Sequence, residues 1–456
     1  MDFLFIVKNR VATLGRLLAE GRRSDKRARL VKASSATLAI KAAAAALSFA
    51  VGLVVARSLG AGGYGAYSFA MSWVVLLRVP ALFGLDKLLV RNVAAYCARE
   101  QWGLLRGLLR WADSIALASS IILGFLVITV TSMVTEGASG EMVSALRLSL
   151  LLIPLTVLVS VRGAVLRGFH RVVLGQLPEE LVKPCAFLVL VSIGSLVAAD
   201  KLTVAITIWF QIVANGAALL VAASFLRPEI PPGVAESTMM FEVRSWLSAG
   251  GPLMLVGALQ VASVQVPVIL LGALADAEAV GLYAVAQRGA ALINSILVAV
   301  SVPLAPMLAS LHATGEGAKL QRVITVSTRV VLLAALPFAL FLLLYGRWFL
   351  ALFGPEFAGG AAMALTVLSV AELASVTMGS AALVLMMTGH ERDAAVGYVY
   401  SVGLTSMLGT LLIPQAGVHG AAVAYAISLV VCKLSMVLRA RQRLGLNTTA
   451  FGRWAG

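Results

Sequence analysis

The sequence carries very little charge for its length. Only 12% of its 456 residues are Asp, Glu, Lys or Arg, and 60% are apolar, whereas a soluble domain carries roughly 25% charged residues. A water-soluble fold cannot cover its surface with so few charges. Soluble enzymes, secreted proteins and disordered chains are therefore excluded, and the composition predicts an all-α polytopic membrane protein.

Cysteine and histidine are scarce, and neither is spaced for metal binding or disulfide formation. The three cysteines (Cys97, Cys185 and Cys432) form no CxxC pair, and the four histidines show no HExxH pattern. We therefore expect no metal and no cofactor. The sequence also lacks a GxxxxGK[ST] loop and a Ser/His/Asp arrangement, so it predicts a carrier and not an enzyme.

The first 33 residues are basic and amphipathic. Apolar residues recur at spacings of three and four from Leu4 to Leu18, and nine Lys or Arg surround them. This pattern is typical of a helix lying on an anionic membrane surface. The apolar run at its start is too short for a signal peptide. The simplest interpretation is a cytoplasmic anchor with no other role.

Twelve later segments are apolar and long enough to cross about 30 Å of hydrocarbon. With the N-terminus inside, the cytoplasmic segments hold 28 of the 36 Lys and Arg. This asymmetry predicts that both termini are cytoplasmic in the inner (cytoplasmic) membrane, and it explains the net charge of +15 without nucleic-acid binding. The predicted spans are 34–57, 66–90, 114–134, 143–166, 182–199, 203–226, 248–272, 284–308, 328–346, 361–386, 394–414 and 417–437.

The two halves of the chain share a short repeat. The pattern G-x-Y-x-x-A begins at Gly65 after the first span and at Gly281 after the seventh, an offset of 216. Because six spans separate the copies, both enter the membrane in the same direction, as in transporters built from two parallel halves. The predicted organisation is a basic segment 1–33, a six-helix lobe 34–226, a cytoplasmic linker 227–247, a second six-helix lobe 248–437 and a basic tail 438–456.

Basic residues inside the spans indicate an anionic ligand, because each costs about 2.5–3.5 kcal/mol at the middle of a helix. Arg78, Lys41 and Arg288 are the candidates, and arginine binds phosphate in a bidentate manner. Snorkelling or structural ion pairing is the alternative for Arg78 and Lys41. For Arg78 we expect that only Glu372, Asp86 and a few amides are able to neutralise it within the protein.

Other polar residues in the spans are open to two interpretations. Glu372 is either a carboxylate that couples transport to H⁺ or Na⁺, or a partner for a basic residue. Gln260, Ser263 and Asn294 are candidate lining residues for a sugar-binding cavity. Hydrogen bonding between helices explains these three residues equally well.

Several short motifs resemble one transporter family. Residues 59–67 (LGAGGYGAY), followed by Gly84-Leu85-Asp86 and Val90-Arg91, resemble the opening of oligosaccharide flippases, the polysaccharide-transporter branch of the MOP (multidrug/oligosaccharidyl-lipid/polysaccharide) exporter superfamily. The motifs at 280–288, 352–357, 388–392 and 417–422 resemble later signatures of that family. The resemblance extends from about residue 34 to 445. It implies a MOP/MATE-like fold of two lobes related by pseudo-two-fold symmetry.

The resemblance implies movement of a lipid-linked oligosaccharide, usually on undecaprenyl diphosphate, to the outer leaflet for polysaccharide biosynthesis. The expected partners are this cargo, membrane lipids, H⁺ or Na⁺ as coupling ion, and polysaccharide polymerase machinery, with no nucleic acid. A multidrug or cation antiporter of the same superfamily is the alternative, and a cationic cavity argues against it. A membrane glycosyltransferase or ligase is a third class, but no loop exceeds about 25 residues, which leaves no room for the large catalytic loop of such enzymes.

Overall fold

The computed structural model describes residues 25–134, 140–197 and 202–452. Within these ranges every regular element is a helix, and no strand is present. The amphipathic helix predicted for the N-terminus lies mostly outside the described residues. Its last residues, from Asp25 onward, belong to the first helix.

The first half of the chain begins with a helix too long for one membrane crossing. Helix α1 has 58 residues, and Gly60 breaks it with φ 67° and ψ −178°, a left-handed value of φ that favours glycine. At 1.5 Å per residue, the two parts account for two spans. The helices of this half are α1 (Asp25–Leu82), α2 (Leu85–Ala98), α3 (Trp102–Val134), α4 (Gly140–Ser149), α5 (Leu152–Gly168), α6 (Val172–Leu177), α7 (Lys183–Val197) and α8 (Val204–Leu226).

The second half ends on a similar broken helix. The last helix has 54 residues and is interrupted at Gly417, where φ is 50° and ψ is −123°. The linker before this half contains a 3₁₀ turn (Arg227–Glu229) and helix α9 (Pro232–Glu236). The remaining helices are α10 (Val243–Leu274), α11 (Ala277–Ala313), α12 (Gly317–Ala351), α13 (Pro355–Gly360), α14 (Ala362–Thr377), α15 (Ala381–Met387) and α16 (Glu391–Leu444).

The helices account for the predicted number of spans. Within the described residues, nine helical stretches are long and apolar enough to cross a membrane, and α14 with α15 forms a tenth that is bent by 42°. Because α1 and α16 are each broken by a glycine, each counts as two crossings, which gives twelve. The prediction of an all-α polytopic membrane protein is thereby confirmed.

Helix packing divides the molecule into two lobes. Helices α1 to α8 pack with one another, and α10 to α16 pack with one another, while α1 also contacts α10 and α11 across the gap. The linker is docked on the first lobe: the Met240 amide donates to the Gly103 carbonyl at 3.0 Å. The Trp246 indole donates to the Tyr96 hydroxyl at 3.0 Å and anchors the start of α10.

The repeat motifs meet each other at one end of the gap. A Cβ placed on Gly65 would lie 1.6 Å from the Ala277 carbonyl oxygen, and one placed on Gly281 would lie 2.0 Å from the Ala61 carbonyl oxygen. The contacts are reciprocal at the offset of 216, as expected around a two-fold axis. Only glycine allows the two helices to approach so closely. We refer to this end of the molecule as the glycine end.

Aromatic side chains close the molecule next to the glycine end. Tyr67 stacks on Phe187 with ring centroids 6.3 Å apart, and Tyr64 meets Phe357 edge-on at 6.3 Å. Tyr64 and Tyr67 are buried. This layer separates the glycine end from a cavity between the lobes.

The segment after α16 folds back onto the second lobe. The helix ends at Gly445, where φ is 68°. Gln321 accepts from the Asn447 amide at 2.8 Å and donates to its carbonyl at 2.7 Å. Thr448 is fully buried, and its hydroxyl donates to the Met378 carbonyl at 3.0 Å. The tail is thus attached to the turn between α14 and α15.

Candidate functional site

A cavity of about 560 Å³ lies between the two lobes. Its walls come from both halves of α1 and from α7, α8, α10 and α11. It therefore sits where a motion of one lobe against the other would open or close it. The polar lining residues are Ser48, Tyr64, Tyr67, Ser68, Ser72, Glu179, Glu180, Lys183, Gln211, Gln265, Gln287 and Arg288.

Arg288 lines this cavity and connects the two lobes. It extends from α11, and its Nη1 donates to the Ser48 carbonyl of α1 at 2.8 Å. The guanidinium lies over Gly52, where a Cβ would be 1.6 Å from Nη1. Within the described residues Arg288 has no salt bridge to a carboxylate, so its charge is available to an anion.

Arg78 lies behind the cavity wall and is paired. It donates to the Ser160 hydroxyl at 2.8 Å and forms an ion pair with Glu179. The expectation that only Glu372, Asp86 and a few amides are able to neutralise Arg78 is therefore wrong. The Arg78 side chain is 30% exposed and Glu179 is 23% exposed, so the pair is in partial contact with solvent.

Lys41 is also paired with a residue of the cavity wall. It extends from the first part of α1 and forms an ion pair with Glu180, with side-chain exposures of 46% and 26%. Its partner lines the cavity, whereas Lys41 itself does not. The alternative of a structural ion pair therefore applies to Lys41 and to Arg78 in the cargo-free protein.

Sequence reasoning missed the helix that supplies both carboxylates. We expected residues 162–183 to be a cytoplasmic loop, but the chain is helical from Val172 to Val197 and apolar enough to form part of a span. Its first turns contain a π-helical segment, Pro178–Val182, in which the Lys183 amide donates to the Pro178 carbonyl. Such i→i+5 turns are rare and occur frequently at functional sites.

Lys183, in the first turn of α7, also lines the cavity. Within the described residues its ammonium group has no hydrogen-bond or salt-bridge partner, although the charges of Glu179 and Glu180 act on it. Together with Lys41, Arg78 and Arg288, it gives four bases against two acids at or next to the cavity wall. The net charge of this group is +2, which suits an anion.

The three predicted polar lining residues do not line the cavity. Gln260, Ser263 and Asn294 are absent from its wall, and the Ser263 hydroxyl donates to the Gln260 carbonyl of its own helix at 2.7 Å. Helix α10 instead presents Gln265 to the cavity. Helical periodicity predicts which residues share a face, but packing determines where that face points.

Glu372 lies in the second lobe, away from the cavity wall. It is 6% exposed, and its Oε1 accepts from the Tyr425 hydroxyl at 3.3 Å. Its Oε2 has no hydrogen-bond partner in the described part of the chain, and the nearest basic influence is the Lys433 charge. No group of three His, Cys, Asp or Glu side chains lies together within the described residues.

Comparisons with known proteins agree with this geometry. Residues 30–312 match a family described as polysaccharide biosynthesis protein. No curated protein sequence matches the chain. Among solved structures, the inward-facing conformation of a multidrug resistance MATE family transporter of the MOP superfamily is similar over 88% of this chain and 94% of that chain, with a TM-score of 0.75 and 14% identity.

Two further structures have lower scores. The outward-facing conformation of a multidrug resistance MATE family transporter of the MOP superfamily gives a TM-score of 0.62 at 14% identity, over 94% of this chain and 98% of that chain. A MOP superfamily transporter from Pyrococcus furiosus Vc1 (DSM3638), described as having a binding pocket of reverse polarity, gives the same TM-score, identity and coverage. At such identities these likenesses show the fold.

Proposed function

The chain belongs to the polysaccharide biosynthesis protein family, whose model matches more than half of it, and from this premise we propose that it is a lipid-linked oligosaccharide flippase. In this proposal the cargo is an oligosaccharide on undecaprenyl diphosphate, and it crosses the cell membrane from the inner to the outer leaflet. The chain is a multi-pass membrane transporter, and its fold is that of the MOP superfamily.

The observation that carries this proposal is the pair of bases without carboxylate partners at the cavity wall. Lys183 belongs to the first lobe and Arg288 to the second, so an anion bound between them contacts both lobes at once. A diphosphate is large enough and negative enough to take both contacts. Arginine supplies a planar fork for phosphate oxygens, and lysine supplies a compact charge. Binding of the head group therefore couples the cargo to the relative position of the lobes.

The glycine end supplies the pivot for alternating access. With the glycine end closed and, in the predicted orientation, facing outward, the cavity would receive cargo from the inner leaflet. The oligosaccharide would contact Gln211, Gln265 and Gln287, while the prenyl chain stays in lipid. An inside-negative potential favours outward movement of an anion by about 2.3 kcal/mol per charge per 100 mV. Exchange for H⁺ or Na⁺ is the other source of energy for the cycle.

The multidrug or cation antiporter remains the second candidate, because MATE transporters share the fold. Two carboxylates at the cavity wall are the feature that would favour cation cargo. However, Glu179 and Glu180 are each paired with a base, so a cation would have to displace Arg78 or Lys41 to reach them. The unpartnered charges are positive, and this argues for anionic cargo.

Ligand-dependent thermal stability of the purified protein separates the two functions. Undecaprenyl-diphosphate-linked oligosaccharide should raise the Tm of the wild type, because a ligand that binds only the folded state stabilises it. The Lys183→Gln/Arg288→Gln variant should lose this shift. A control variant with Lys87→Gln and Arg347→Gln, two exposed bases outside the cavity, should retain it. A shift with a cationic dye and none with the lipid would favour the antiporter.

A further inference from the structure

Two consecutive carboxylates lie in a wall that is otherwise suited to anions. Glu179 and Glu180 both line the cavity, and each makes an ion pair with a base from α1. A flippase for an anion gains no attraction from acidic residues at this place. Their presence at the wall therefore requires a separate explanation.

The partners of Glu179 form a small anion site. One carboxylate oxygen pairs with the Arg78 guanidinium, and the other lies 3.3 Å from the Ser160 hydroxyl. Arg78 also donates to Ser160 at 2.8 Å. A guanidinium and a hydroxyl converging on one carboxylate are the groups that bind a phosphate oxygen. Within the protein, this site is occupied by the protein's own anion.

Glu180 repeats the arrangement one residue along the chain. It pairs with Lys41, and this pair is more exposed than the one at Glu179. In a regular α-helix consecutive side chains point about 100° apart. Here the π-helical turn Pro178–Val182 carries both residues, and both reach the cavity wall. The wall thus presents two carboxylates, each bound to one base.

We propose that Glu179 and Glu180 occupy the diphosphate site in the cargo-free protein, and that the two phosphates of the cargo replace them on Arg78 and Lys41. This inference rests on the proposed function and specifies how the head group binds and leaves. Phosphate oxygens would take the place of the carboxylates on the two α1 bases, while Lys183 and Arg288 supply the charges that have no internal partner.

This exchange solves the problem of release. A cavity with four free bases would hold a diphosphate too tightly to turn over, because charge-assisted hydrogen bonds to phosphate are strong. When the carboxylates return to Arg78 and Lys41, they compete with the cargo and lower its affinity. A carrier benefits from such competition, since only differences in affinity between states drive its cycle.

Calorimetric binding of inorganic pyrophosphate to the purified, detergent-solubilised protein tests the exchange. Glu179→Gln and Glu180→Gln should each bind pyrophosphate roughly tenfold more tightly than the wild type, because the carboxamide no longer competes for its base. The control, Glu278→Gln, removes an exposed carboxylate outside the cavity and should bind with wild-type affinity. Thermal unfolding of each variant verifies that it is folded.

A double-mutant cycle separates competition from a general change in charge. In the Arg78→Gln background, Glu179→Gln should change the affinity for pyrophosphate less than twofold, because the base that the carboxylate occupied is gone. An equal tenfold gain in both backgrounds would mean that the carboxylate acts only as a distant charge, and the proposal would fail.

The remaining outcomes distinguish the two levels of the account. If the wild type binds pyrophosphate through Lys183 and Arg288 but the two carboxamide variants bind no more tightly, the exchange is refuted and the flippase proposal stands. If neither the wild type nor any variant binds pyrophosphate, the cavity is not an anion site, and both proposals fail.

Discussion

Gly52→Ala tests whether the position of Arg288 matters for transport. The added methyl carbon would lie 1.6 Å from Nη1 and 2.4 Å from Cζ of Arg288, so the guanidinium must move by about 2 Å to reach ordinary van der Waals contact. This movement breaks the 2.8 Å hydrogen bond to the Ser48 carbonyl. Hydrogen bonds to charged groups contribute roughly 1.5–3 kcal/mol, and the partial exposure of this one favours the lower value.

A loss of about 1.5 kcal/mol corresponds to roughly a tenfold loss in binding or rate. We expect Gly52→Ala to reduce the initial rate of lipid-linked oligosaccharide flipping in proteoliposomes by about this factor. The Tm of the protein should not fall, because alanine is favoured over glycine inside a helix by roughly 0.5–1 kcal/mol. Gly216→Ala in α8 is the matched control, since its Cβ meets no atom within 4 Å.

The effect must act through Arg288 if the reasoning is correct. In the Arg288→Gln background, the added methyl group at position 52 should cause no further loss of flipping, since the two changes remove the same contact. Equal flipping rates for Gly52→Ala and Gly216→Ala would refute the assignment of Arg288 to the site.

Three other predictions concern the architecture. A cysteine at Gly62 should react with a membrane-impermeant reagent in intact cells, and one at Gly315 should not, because the loop charges place these positions on opposite sides. Gly281→Ala should lower the Tm by several degrees, since its Cβ would lie 2.0 Å from the Ala61 carbonyl oxygen and backbone cannot yield as a side chain does. Gln321→Ala should destabilise the second lobe by roughly 1–3 kcal/mol in chemical unfolding, because two hydrogen bonds to Asn447 are lost. Labelling of position 315 from outside, an unchanged Tm for Gly281→Ala, or wild-type unfolding of Gln321→Ala would contradict the respective prediction.

The spans and the two-lobe organisation are predictable because their signals are contained in short stretches of sequence. Apolar length indicates each crossing, and the shared G-x-Y-x-x-A pattern indicates the repeat. The reciprocal contact of Gly65 with Gly281 occurs at the predicted offset. Arg288 was also predictable, since a base inside an apolar helix is costly and rare.

The acidic half of the cavity wall was not predictable in the same way. The sequence PEELVKP at 178–184 has two prolines and three charges in seven residues, a composition typical of a loop. Ion pairs with Arg78 and Lys41, which lie about 100 residues or more away in the sequence, accompany its helical conformation, and no local pattern records them. The same limit applies to Gln260, whose helix is rotated so that Gln265 lines the cavity instead.

The most direct test of the central claim is flipping of a fluorescent undecaprenyl-diphosphate-linked oligosaccharide in proteoliposomes. Dithionite quenching of the label on the outer leaflet measures how much cargo has crossed. The account predicts flipping by the wild type and by the Lys87→Gln/Arg347→Gln control, and none above protein-free liposomes for Lys183→Gln/Arg288→Gln. Wild-type protein that fails to flip this lipid yet exchanges a cationic dye for H⁺ or Na⁺, or a Lys183→Gln/Arg288→Gln variant that flips at the wild-type rate, would contradict it.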